Sequence, residues 1–170
     1  MEEKLRLSGI VGESIVDGPG IRMTVFTQGC PHHCPGCHNP QTHDFEGGYW
    51  ETVEAVAQRY EGNPLLRGVT LSGGEPFCQA KPLVELCRKV REKGGNIWAY
   101  SGYTFEQLTG ENAPENARGL LELCDVLVDG PFVLAQRDLN LYFRGSANQR
   151  LIDVPASLSA GCAVLYPVGE

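Results

Sequence analysis

No stretch of the sequence approaches the roughly 18 consecutive apolar residues that a membrane-spanning helix requires, so no span and no membrane partner are expected. Cationic side chains are also scarce: 14 Lys and Arg stand against 21 Asp and Glu, for a formal net charge of −7. Without a cationic excess there is little to displace counterions from a phosphate backbone, which argues against a nucleic-acid partner. No secretory apolar leader is expected either, because Met1-Glu2-Glu3-Lys4 runs straight into alternation, and the expected location is cytoplasmic. In a reducing compartment the seven cysteines are expected as metal ligands, catalytic groups or small buried residues instead of disulfides. Their odd number and their crowding toward one end point the same way. Repeats and low-complexity tracts are absent. With 42 % apolar side chains, residues 1–170 are expected to fold as a single domain around one core.

What is present alternates between strand and helix signals. Leu5, Leu7 and Ile10-Val11 suggest an opening strand, and Asp17-Gly18-Pro19-Gly20 a tight turn before a second strand over residues 21–26. Thr52 is placed to cap a helix over about residues 53–60, with Val53, Val56, Ala57 and Tyr60 on one side. A strand over residues 69–71 ends in Ser72-Gly73-Gly74-Glu75-Pro76. A helix follows over about residues 82–93, striped by Leu83, Leu86, Cys87 and Val90 and stopped by Gly94-Gly95. Further strands are expected over residues 97–100 and 126–128, with short helices from Thr104 and over residues 120–123 and a surface connection between them. Residues 139–143 and 149–154 are expected to pair around Arg144-Gly145-Ser146, and residues 163–166 to form a last strand.

Strand, glycine-bearing loop, helix, repeated, predicts an α/β parallel sheet with a short antiparallel N-terminal fringe and a ligand site at the strand C-terminal ends. A closed eight-fold barrel needs roughly 250 residues, so a partial, open β/α barrel is the better expectation.

The segment Gly29-Cys30-Pro31-His32-His33-Cys34-Pro35-Gly36-Cys37-His38-Asn39-Pro40 leaves the end of the second strand. Its prolines and glycines exclude a regular helix. Cys34-Pro35-Gly36-Cys37-His38 spells a haem-attachment pattern, but no export signal accompanies it and Cys30 has no place in it. Zinc would find Cys30, Cys34, Cys37 and one of His32, His33 or His38, although structural zinc normally draws on two separated ligand pairs. An iron–sulfur cube held by three thiolates leaves one iron open to a substrate. Cys78, at the next strand–loop junction, could make a fourth thiolate and turn the cluster into a plain electron carrier. Cys87, Cys124 and Cys162 lie in apolar settings and are expected in the core.

Cys30-x3-Cys34-x2-Cys37 resembles the cluster motif of the radical S-adenosylmethionine (SAM) enzymes. Asp17-Gly18-Pro19-Gly20-Ile21-Arg22, Gln28-Gly29-Cys30-Pro31 and Cys37-His38-Asn39-Pro40 look like the glycyl-radical-activating branch, and Leu71-Ser72-Gly73-Gly74-Glu75-Pro76 like its SAM-binding segment. Gly36 stands where many members of the superfamily carry Phe or Tyr, a departure that the activases of anaerobic ribonucleotide reductase accept. The residues of 125–132, 138–141 and 143–150 resemble the activating proteins of anaerobic ribonucleoside-triphosphate reductase, with Pro131 standing where a basic residue is expected. The resemblance runs from about residue 7 to residue 154.

It implies a partial barrel of the radical SAM type, with a [4Fe-4S] cluster on Cys30, Cys34 and Cys37 and with SAM on its open iron. It implies cleavage of SAM to methionine and a 5′-deoxyadenosyl radical, which takes hydrogen from a glycine of the reductase's large catalytic subunit. The electron would come from a low-potential donor such as reduced flavodoxin or ferredoxin. The backbones of Gly36, Cys37 and His38 would run beside SAM, and Gly73-Gly74 would allow close approach to its amino-acid end. Glu75 would accept from the SAM ammonium or serve as a helix N-terminal carboxylate. Ser101 and Asp129, at the ends of successive strands, are expected to line the same pocket. Asp17 and Arg22 would brace the N-terminal turn or form an ion pair, and Arg144, Asn148, Gln149 and Arg150 would bind SAM or dock the glycyl loop. No separate catalytic side chain is expected. Activation of another glycyl radical enzyme such as pyruvate formate-lyase, the four-cysteine electron carrier and a zinc-stabilised interaction protein are the competing readings.

Overall fold

A mixed seven-stranded sheet organises the chain, in the order β3-β1-β2-β4-β5-β6-β7. The structure is a computed structural model and describes residues 3–37 and 39–167. β1 (Lys4–Ser14) lies antiparallel to both β2 (Arg22–Thr27) and the edge strand β3 (Tyr49–Thr52). β2, β4 (Gly68–Gly73), β5 (Asn96–Tyr100) and β6 (Val126–Asp129) run parallel, and β7 (Arg150–Asp153) closes the far edge antiparallel to β6. The outer strands β3 and β7 do not pair with one another, so the sheet stays open, consistent with a barrel-like β/α arrangement.

Helix signals in the sequence are realised closely. α1 (Val53–Glu61) starts where the Thr52 hydroxyl accepts from Ala55 N at 3.1 Å, and it buries Val53, Val56, Ala57 and Tyr60. α2 (Ala80–Glu92) buries Leu83, Leu86, Cys87 and Val90 and ends at Gly94, whose left-handed φ of 80° suits a residue without a side chain. α3 (Phe105–Thr109) carries a reciprocal cap between Thr104 and Gln107, and α4 (Ala117–Leu121) begins a few residues ahead of the expected short helix. No helix among the described residues is long and apolar enough to cross a membrane.

The tail departs from expectation. Residues 139–143 form no strand; Leu139 is 80 % exposed, and the expected hairpin is reduced to one bridge between Arg137 and Ser146. β7 pairs instead with the free edge of β6, which lets Leu151 and Ile152 bury beside Val128 and Leu127. That gain in apolar burial is denied to Leu139. Val154 opens α5 (Val154–Ala160), because Asp153 caps Ala156 N at 3.0 Å and proline occupies the first turn. The last strand is reduced to a bridge from Leu165 to Ile152. Cys87 and Cys124 are buried in the core as expected, with burial pushing the Cys87 thiol up to about 12, but Cys162 is exposed just beyond the α5 terminus.

Side-chain alternation along the parallel strands sorts the sheet into two faces. Met23, Val25, Val69, Leu71, Ile97, Ala99 and Leu127 share one core with the buried stripes of α1, α2 and α4. The residues between them, Thr24, Thr70, Trp98, Tyr100 and Val128, point to the other face. On that face, among the described residues, a cavity is lined by the loops that follow β2, β4, β5 and β6.

Candidate functional site

The cavity, about 370 Å³, falls within the range of about 300–1,000 Å³ usual for small-molecule sites. It opens at the C-terminal ends of β2, β4, β5 and β6, where Cys30, Ser72, Gly73, Tyr100 and Gly130 line it.

Cys30, Cys34 and Cys37 all line this one cavity, and none is in a disulfide. Their loop is tied down by main-chain bonds: Gly29 N donates to Thr42 O at 2.6 Å, Cys30 N to His43 O at 3.1 Å and Cys37 N to Cys34 O at 3.1 Å. Cys30 is buried, and that burial raises its thiol above the usual range. Among the described residues no three His, Cys, Asp or Glu side chains are drawn together closely enough to hold a metal ion. The donor set nevertheless suits an iron–sulfur cluster, with three soft, unbridged sulfurs on one short loop facing one cavity. Cys78 stands apart. It is exposed and lines a second groove with Lys4, Arg6, Phe45 and Trp50.

Gly73 and Gly74 line the cavity beside the base of the cysteine loop. Their lack of side chains is demanded first by the chain itself: a Cβ on Gly73, whose φ is 99°, would run into the Thr27 backbone, and one on Gly74 into the Gly29 carbonyl. Glu75 N donates to that same carbonyl at 2.8 Å, so the two segments are joined through their backbones. The Glu75 side chain is fully buried and lies behind the lining residues His32 and Ser101. Its carboxylate accepts from the Ser101 hydroxyl at 2.9 Å, Gly102 N at 2.8 Å and Phe77 N at 3.1 Å, and it pairs with His32 Nε2 at 2.6 Å. Of the two roles expected for Glu75, the geometry matches the N-terminal carboxylate, here capping the short helical turn Pro76–Gln79. His32, whose ring meets Tyr103 edge-on at 4.5 Å, therefore anchors the cysteine loop to the sheet.

Asp17 and Arg22 brace the N-terminal turn through separate bonds. Asp17 accepts from Ser14 Oγ at 2.7 Å and Thr24 Oγ1 at 3.0 Å, and it lines the cavity. Arg22 is wholly buried, donating to Thr70 Oγ1 at 2.8 Å, Val69 O at 3.0 Å and Pro19 O at 3.1 Å; burial pulls it down to about 10.

Ser101 reaches the cavity rim, whereas Asp129 does not. By strand alternation Asp129 faces the helices, where it accepts from Phe105 N at 2.7 Å and from Arg150 Nε at 3.0 Å. Arg150 also binds Glu106 at 2.6 Å. Substituting Arg150 by Met strips a buried carboxylate of its cation, with an expected loss of about 2–3 kcal/mol in urea unfolding. Arg150 holds the Glu106 carboxyl below its usual range, so the contribution of the Glu106–Arg150 pair is present at neutral pH and fades as pH falls through the folded value. Glu106 is largely exposed, and Glu106→Gln is expected to cost under about 0.5 kcal/mol at pH 7.

Gly36 lies outside the lining, its left-handed backbone (φ 76°) tucked beneath Leu134, and His38 lies outside the described residues. Ser72 and Asn39, which fall in segments that carried the family resemblance but were given no role of their own, line the cavity together with His43, which sequence reasoning missed. Ser72 was within reach, because counting one residue on from the helix-facing Leu71 puts it on the cavity face.

Residues 16–152 match the family model described as a 4Fe-4S single cluster domain. The chain is 37 % identical over 143 residues to the anaerobic ribonucleoside-triphosphate reductase-activating protein of Vibrio cholerae, covering 79 % of this chain and 89 % of that protein. The protein of the same description from Escherichia coli K12 is 35 % identical over 143 residues, covering 79 % and 90 %. That from Enterobacteria phage T4 is 32 % identical over 143 residues, covering 80 % and 86 %. Among solved structures, QueE from Escherichia coli aligns with a TM-score of 0.48 and 20 % identity, over 74 % of this chain and 70 % of that one.

Proposed function

The chain belongs to the radical SAM, 4Fe-4S family of anaerobic ribonucleoside-triphosphate reductase-activating proteins, and we propose that it activates such a reductase by installing a glycyl radical on its large subunit. Family membership makes it an oxidoreductase-type enzyme. The observation that carries the finer reading is the placement of three unbridged cysteines from one loop in the same cavity as Ser72, Gly73 and Gly74. The open mixed sheet is read accordingly as a partial barrel of the radical SAM type, working in the cytoplasm.

Cys30, Cys34 and Cys37 would hold the [4Fe-4S] cluster. When bound, it supplies the single electron, drawn from a donor such as reduced flavodoxin or ferredoxin, that splits SAM into methionine and a 5′-deoxyadenosyl radical. The chemistry so supplied would remove one hydrogen atom from a glycine of the partner, with 5′-deoxyadenosine as the co-product and a glycyl radical left on the partner. The chain's own part is containment and placement. Gly73 and Gly74 present bare backbone on the cavity wall, with Ser72 and Tyr100 beside them. Ser101 reaches the rim, while Glu75 and Asp129 act from behind, Glu75 by holding His32, Ser101 and Gly102. Tyr100 and Phe143 wall the cavity with aromatic surface.

Anaerobic reconstitution with iron and sulfide tests the proposal. The expected result is roughly four irons per chain, a spectrum that changes on addition of SAM, and 5′-deoxyadenosine after reduction. A radical signal split by a glycine α-hydrogen should then appear on the reductase large subunit. A signal confined to a formate-lyase partner would overturn the choice of substrate, and stoichiometric zinc without iron would overturn the cluster.

A further inference from the structure

Only one fixed positive charge lines the cavity among the described residues, that of Arg144. The neighbouring guanidiniums are already engaged. Arg150 is locked onto Asp129 and Glu106, and Arg22 lies beneath the Asp17 turn, bonded to Thr70 and to carbonyls. Arg144 is held differently. No carboxylate among the described residues pairs with it; Nη1 donates to the Gln149 carbonyl at 3.3 Å, and Nε is buried without a hydrogen-bond partner. A buried N–H left unpaired is costly and calls for an explanation.

The backbone adds a second observation. Phe143, immediately before, adopts a left-handed conformation with φ 58°, which is uncommon for a bulky side chain. Its ring is braced edge-on against Trp98 at 5.1 Å. Gln149 fixes the other side of the turn, accepting from Gly145 N at 2.9 Å and Ser146 N at 3.2 Å while its amide donates to Gly130 O at 3.0 Å. The chain thus spends strain to hold an unpaired cation at the cavity wall, an arrangement that suits an anionic ligand group.

SAM carries a sulfonium, an ammonium and one negative group, its carboxylate, and a guanidinium matches a carboxylate with two parallel hydrogen bonds. We propose that Arg144 binds the carboxylate of SAM and so selects the amino-acid end of the cofactor; this rests on the SAM-cleaving function proposed above.

The test measures equilibrium binding of SAM and of decarboxylated SAM, which keeps the sulfonium, ribose and adenine, to the full iron-loaded chain. Arg144→Gln is expected to weaken SAM about ten- to a hundredfold, to leave decarboxylated SAM within about twofold, and to preserve iron content and cluster spectrum. Arg144→Lys, which keeps the charge without the fork, should fall between, and it decides the matter if the glutamine variant takes up no iron. Equal weakening of both ligands, or unchanged SAM affinity, overturns the proposal. So does a shifted cluster spectrum with ligand discrimination intact, which would assign Arg144 to the charge of the cluster. If iron-loaded wild type binds neither ligand, the SAM-cleaving reading falls and takes this proposal with it.

Discussion

Cys34→Ala is expected to yield a folded chain that no longer assembles its cluster. Cys34 contributes nothing to the hydrophobic core, and the turn it heads is held by the backbone bond from Cys37 N to Cys34 O, which alanine keeps. Among the described residues Cys30, Cys34 and Cys37 are the cysteines that line the cavity, so no spare thiolate stands there. Iron should drop from about four per chain to below about one. Formation of 5′-deoxyadenosine should fall by more than the roughly 10–100-fold that substitutions around a metal site's ligands cost. Cys78→Ala is the control, because Cys78 opens on a different groove; iron and SAM cleavage should both persist. Iron assay, circular dichroism and product analysis on the two variants check this directly. Retention of the cluster in Cys34→Ala together with its loss in Cys78→Ala would point to the electron carrier instead.

Glu75→Ala should bring the largest loss of stability. The carboxylate is fully buried and serves Ser101, Gly102, Phe77 and His32 at once, from the junction of β4 with the turn that leads into α2. Removing it leaves buried donors unpaired and opens a hole where the carboxylate stood, an expected cost of about 3–5 kcal/mol in urea unfolding of the apoprotein. Glu75→Gln fills the space but turns one acceptor into a donor facing other donors, for about 1–3 kcal/mol. Loss of the His32 anchor should also slow cluster assembly in both variants. A cost below about 1 kcal/mol for the alanine variant would mean that water replaces the carboxylate and that the network is not a structural hub.

Legibility from sequence followed the range of the forces involved. Thr52 and the spacing of Val53, Val56, Ala57 and Tyr60 are local, and α1 appears where they place it. The cysteine spacing is local too, and all three thiols reach one cavity. β3 was invisible, since Tyr49–Thr52 lie at the sheet edge with exposed or half-exposed side chains and pair with β1 through long-range contacts, the backbone ladder and Arg6 over the Trp50 ring. The tail was misjudged because residues 139–143 and 149–154 both have strand composition, and only the vacant edge of β6 selects the second.

Composition and spacing alone determined the α/β class, the helix faces and the three-cysteine loop, because caps, side-chain period and ligand intervals act within a few residues. Tertiary structure alone decided the rest. Strand parity turned Asp129 toward the helices, burial made Glu75 an internal hub, and the braced turn at Phe143 left Arg144 without a carboxylate partner at the cavity wall. Each of these depends on which face of the assembled sheet a residue meets, and that is set by strand partners far away in the chain.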